Sequence, residues 1–181
     1  MIDKEKRKKL AWHLRHISIG LITNDDFENS VLDDVSHGWL PEQYYRAKEA
    51  KLDDPIIVPM LELCWGLYDD TRRHKLIGSD KLPNESLKII ARCILFLQSD
   101  KEYEWPYFDT KFNFSVLEFI TALLTLGHNF RIKKRDQKES YEEFKKVGEY
   151  DFWPFFRKID YENQLTNPPF LNGQLITHLS D

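Results

Sequence analysis

The chain predicts an all-α fold, a single-domain bundle of about six or seven helices spanning residues 1–181. Three observations carry this. Two segments, residues 56–70 and 85–98, are apolar nearly all round, as helices at the centre of a bundle are. Apolar residues in other segments recur at i, i+4 and i+7. Helix-start signatures punctuate the chain, and the 14% aromatic content beside only 7 Gly favours a packed core over a loop-rich scaffold.

The elements follow in order. Residues 3–19 read as a helix with Leu10, Leu14, Ile17 and Leu21 on its buried stripe and Gly20 as its stop. Trp12 and Ile19 fall on the opposite side, so cover on two faces is expected. Thr23 caps the second helix, Asp25 and Asp26 suit its positive end, Ile22 staples onto Phe27, and Val31 and Val35 continue the face. Gly38 breaks the pattern, and Pro41 opens a helix over 41–51. Asp54-Pro55 precedes the first central helix, whose start Pro59 delays or kinks. Asn84 caps the second central helix.

Beyond it, Pro106 and alternating aromatics interrupt the pattern. Ser115–Glu118 is a capping box for a helix to about Leu126, and Ser140–Glu143 is another, closed by Gly148. Residues 151–165 form a last helical segment, with Pro154 near its start. An irregular arm is expected over 165–181, where Pro168, Pro169 and Gly173 show no period.

Composition excludes several classes. With 41% hydrophobic and 31% charged residues the chain is neither disordered nor membrane-embedded, and no apolar run is long enough to span a bilayer. The N-terminal stretch lacks a clean apolar segment because His13, Arg15 and His16 interrupt it, so secretion is not expected and a reducing cytoplasmic setting is. Cys64 and Cys93 sit in apolar helical patterns and read as buried thiols, whose surroundings oppose nucleophilic use. The net charge of -4 does not recruit nucleic acid or anionic lipid. The basic stretch "RIKKRDQK" at 131–138 sets five cations against one acid, but it reads as a solvated loop.

Local chemistry is sparse. "GLYDDTRRHKL" at 66–76 places two acids, two arginines and a histidine after the first central helix. On a helix Asp69 would face Arg72 and Arg73, and Asp70 would face Arg73 and His74, as surface ion pairs at a cation-favouring C-terminus. "WHLRH" sets His13 and His16 one turn apart, able to share a metal if Glu28, Asp69, Asp70 or His74 completed the set. That would make a metal-dependent hydrolase, the alternative reading. No HExxH, paired CxxC, acidic calcium loop, GxxxxGK[ST], GxGxxG or GxSxG occurs, and no cofactor is expected. Glu62 and Arg92, each the one charge in an apolar run, are candidates to pair between the central helices. The aromatic–proline clusters "YEWPYF" and "YDFWPFF" offer Tyr103, Trp105, Tyr107, Trp153 and Phe155 as anchors for a protein partner.

At "AWHLRH", "WGLYDD" and "YEWP" the sequence resembles a group of small bacterial proteins to which no activity is assigned, over roughly its first two thirds. The resemblance implies no functional residue. In profile alone, as an acidic single-domain chain without a catalytic set, it is similar to immunity proteins that neutralise a toxin. The expected function is therefore a non-enzymatic protein-binding module, with a basic toxin domain as partner.

Overall fold

In a computed structural model, residues 1–39, 41–106 and 139–166 are described, and among them the secondary structure is helical without strands. The order is α1 (Lys4–Ser18), α2 (Asn24–Asp34), α3 (Pro41–Tyr44), α4 (Lys48–Leu52), α5 (Ile57–Trp65), α6 (Asn84–Leu97), α7 (residues 139–147) and α8 (Lys158–Thr166). Short 3-10 turns lie at Gly78–Asp80 and Tyr150–Phe152. The fold is all-α, as the periodicity predicts.

Helix α1 is the hub. Leu10, Leu14 and Ile17 turn into the core, and α1 packs against both α2 and α6. Asp3 caps it by accepting from the Lys6 amide at 2.9 Å. Gly20 ends it with φ +69°, the Leu21 amide reaching back to the His16 carbonyl. A Cβ on Gly20 would also lie 2.4 Å from Ile77 Cγ2, so only glycine fits where the 76–77 segment crosses. Trp12, Ile19 and Leu21 are exposed: α1 is covered on one face, not two, and Leu21 leaves the buried stripe because the chain has already turned at Gly20.

Thr23 and Asp26 form the reciprocal capping box of α2, which buries Phe27 and Val31. The 41–51 helix is broken into α3 and α4 at 45–47. Helix α5 stops at Trp65, with Gly66 as its C-cap, earlier than expected, and Pro59 sits in its first turn, where a missing N–H costs no helical bond. Pro83, with Asn84 already helical, precedes α6. Cys64 and Cys93 are free and buried in the core, and burial pushes the Cys93 thiol up to about 12. Leu165 and Thr166 close α8 instead of starting the irregular arm. The rest of that arm, the Ser115 capping box and the 131–138 basic stretch lie outside the described residues.

A polar brace that periodicity does not reveal holds α1 against the α4–α5 corner and the end of α6. Arg7 is fully buried, its Nε 2.5 Å and Nη2 3.0 Å from the two carboxylate oxygens of Asp54. Its Nη1 donates to the Lys101 carbonyl at 2.8 Å, and the guanidinium lies 5.2 Å from the centre of the Phe96 ring. Beside it, Asp53 accepts from Lys6 Nζ at 2.6 Å, from His37 Nε2 at 3.0 Å and from the Tyr44 hydroxyl. Burial acts to raise the Asp53 carboxyl, but these hydrogen bonds outweigh it and hold it below its ordinary value.

Candidate functional site

The segment after α6, helix α7 and the 148–157 turn meet over α5 and α6. Gly148 lets the chain fold back, since a Cβ there would lie 3.0 Å from the Phe156 ring and carbonyl. The Glu149 amide donates to that carbonyl at 3.0 Å, and the Glu149 carboxylate accepts from the first amide of α8 at the same distance. Phe155 fills the floor, edge-on to Phe96 at 5.0 Å. Trp105 packs on Phe144 and Phe156 and donates its indole N–H to the Phe155 carbonyl at 3.3 Å. Arg92 Nε donates to the Trp153 carbonyl at 2.6 Å and fixes the turn to α6.

Between these layers lies a cavity of about 320 Å³. Pro59, Glu62 and Leu63 of α5 form one wall, Tyr103 and Pro106 a second, and Tyr141, Phe144, Tyr150 and Trp153 the third. The Trp153 indole donates to the Tyr103 hydroxyl at 3.2 Å, and the Tyr141 and Tyr150 hydroxyls share a 2.5 Å hydrogen bond. Burial raises the Tyr103 and Tyr150 phenols above their ordinary range, Tyr150 further through Tyr141, so both stay neutral at physiological pH. The wall therefore offers π-faces, neutral hydroxyls and one carboxylate, Glu62. It can enclose an apolar, aromatic or cationic group.

The anchor candidates divide here. Tyr103 and Trp153 line the cavity half-buried, whereas Trp105 and Phe155 are 4% and 0% exposed and serve the core. Tyr107 lies outside the described residues. Tyr141, Phe144, Tyr150 and Glu62 join the site although sequence spacing did not single them out as a group. Arg92 turns to Trp153, and Glu62 to the cavity wall, in place of an interhelical pair.

The metal candidates do not assemble. His13 Nε2 lies 2.8 Å from Asp34, and its buried Nδ1 has no hydrogen-bond partner among the described residues. Burial, the largest influence, lowers the His13 imidazole below its ordinary 6.5, against the Asp34 bond, which raises it. His16 bonds the Trp12 carbonyl and stacks on the Trp12 ring at 3.7 Å. Asp69, Asp70 and His74 lie in an irregular turn, not on a helix. Asp69 accepts from the Thr71 amide and hydroxyl, Arg72 pairs with Asp80, and Arg73 pairs with Asp26. Asn24 ties this turn to α2, bonding the Arg72 carbonyl and accepting from the His74 amide. Among the described residues no group of three His, Cys, Asp or Glu could hold a metal. Nor is any described helix long and apolar enough to cross a membrane.

Comparison with protein-family models, curated protein sequences and solved structures finds no match to this chain.

Proposed function

We propose that this protein is a non-enzymatic binding module of the immunity-protein kind, which neutralises a basic bacterial toxin in the cytoplasm. The observation that carries the reading is the aromatic cavity with Tyr103 and Trp153 in its wall. Half-buried Trp and Tyr give large contact area at low entropic cost, the property that concentrates binding energy at interfaces. Aromatic faces beside the Glu62 carboxylate suit an arginine or lysine side chain, and the chain's net charge of -4 favours encounter with a basic partner.

The test takes the product of the gene next to this one, purified and titrated against the full chain. Saturable binding is expected, and Trp153→Ala should weaken it by at least 2 kcal/mol, roughly thirtyfold, as a central anchor does. Because Trp153 also packs on core residues, Glu62→Gln provides a gentler second variant, with helical circular dichroism as the folding control. A neighbouring product that does not bind, or binding indifferent to both variants, would overturn the reading.

A further inference from the structure

A second concave surface lies on the uncovered face of α1, away from the aromatic cavity. It is a groove of about 640 Å³ lined by Lys4, Glu5, Lys8, Lys9, Trp12, His13 and Asp34. Lys4, Lys8 and Trp12 follow one another at i, i+4 and i+8, and Glu5, Lys9 and His13 form the adjacent stripe. Trp12 is 47% exposed, although an indole is usually mostly buried in a folded chain. His16, stacked on it at 3.7 Å, supports the ring from the next turn.

The cations differ in how they are engaged. Lys8 is exposed and makes no ion pair among the described residues. Lys4 meets Asp100 at 2.6 Å, but both side chains are mostly in solvent, where such pairs hold weakly. Lys9 lies 3.3 Å from Asp34, whose other oxygen holds His13 Nε2 at 2.8 Å. Ammonium groups, a supported indole and carboxylate acceptors thus share one groove.

We propose that this groove binds a nucleoside 5′-monophosphate bearing an amino-substituted base, with the base against Trp12 and the phosphate at Lys8 and Lys4. Trp12 and Lys8 are one turn apart, about 6 Å along the axis, a separation that matches the reach from base to phosphate within one nucleotide. Stacking is indifferent to base identity. Asp34, held by Lys9 and His13 at the Trp12 end of the groove, accepts hydrogen bonds, so it favours a base with an exocyclic amine over one with only carbonyls. The same chemistry occurs in a free nucleotide and in a unit of a single-stranded nucleic acid, and the groove's mixed charge favours the free form. A polyanion would bring further phosphates toward Glu5, Asp34 and Asp100.

The probe is adenosine 5′-monophosphate, titrated into the ¹⁵N-labelled full chain. The Trp12 indole N–H signal is assigned from Trp12→Phe. A saturable shift of that signal is expected, with affinity falling about tenfold or more in Lys8→Ala, read from the same signal, and in Trp12→Ala, read from the backbone amides of α1. Lys8 is exposed and Trp12 touches His13 and His16, so the changes in the amide spectrum should stay confined to α1 around the substituted residue. Uridine monophosphate, adenosine and inorganic phosphate should each bind more weakly. A (dA)₆ oligonucleotide binding far more tightly, with steep salt dependence, would assign the same chemistry to nucleic acid. No saturable Trp12 shift, binding unaffected by Lys8→Ala, or inorganic phosphate binding as tightly as the nucleotide would overturn the proposal.

Discussion

Removing the negative half of the Arg7–Asp54 pair tests the brace most directly. Asp54→Asn keeps the shape and leaves a guanidinium that is fully buried opposite a neutral amide. Asp54 supplies both oxygens of the bidentate contact, at 2.5 and 3.0 Å, while the carbonyl acceptors at Lys101 and Ser99 carry no net charge. Stranding one charge of such a pair costs about 3–5 kcal/mol. A domain's whole stability is only about 5–15 kcal/mol, so the variant should lose between a fifth and all of it. Urea melts followed by circular dichroism at 222 nm report this as a lower midpoint at unchanged slope. The double change Arg7→Met with Asp54→Leu sharpens the test. Matched apolar replacement of a buried pair is often neutral, but Asp54 also accepts from the Asp3 amide at 3.0 Å and the Ile56 amide at 3.3 Å. Those amides would be orphaned at about 1–3 kcal/mol each, so the double variant should recover only part of the loss. A single variant within 1 kcal/mol of the parent would show that water reaches the pair and would refute the reasoning.

Three further outcomes are expected. Asn24→Ala removes the side chain that holds the 69–74 turn and should cost about 1–3 kcal/mol, with faster amide exchange at His74, whereas Asp69→Asn with Asp70→Asn should leave the urea midpoint unchanged because both acids are exposed; a large midpoint drop in the double Asp variant would make the turn an internal polar site. Burial lowers the His13 imidazole below 6.5, so the unfolded chain takes up its proton first as pH falls, and stability is full above about 6.5 and lost below it as pH drops toward the folded value. His13→Gln should flatten that part of the pH–stability curve measured by urea melts, and an unchanged slope would reject the assignment.

The helices were legible because their signals are local. A stripe such as Leu10, Leu14 and Ile17 needs only the 3.6-residue period. The Thr23–Asp26 cap spans a single turn, and Gly20 is demanded by backbone conformation at one position. The boundaries that local pattern missed were set by other segments: α5 stops at Trp65, the following turn is claimed by Asn24 from α2, and Asp69 bonds Thr71 while keeping only a 4.0 Å contact with Arg72. Arg7 is one of five cations in the run "KEKRKK" at residues 4–9, and although it shares the stripe of Leu10 and Leu14, a cation is ordinarily left at the surface. Only packing decides that it is sealed beneath Phe96 and Asp54 while its neighbour Lys8 meets water. The aromatic site behaves likewise. Sequence composition placed Tyr103, Trp105, Trp153 and Phe155 in two clusters about 50 residues apart. Which rings fill the floor and which line a cavity depends on long-range contacts such as Trp105 to the Phe155 carbonyl. Periodicity is a property of neighbours along the chain, whereas burial of a charge or opening of a cavity is a property of neighbours in space. The first is written in the order of residues, and the second exists only once the chain has closed on itself.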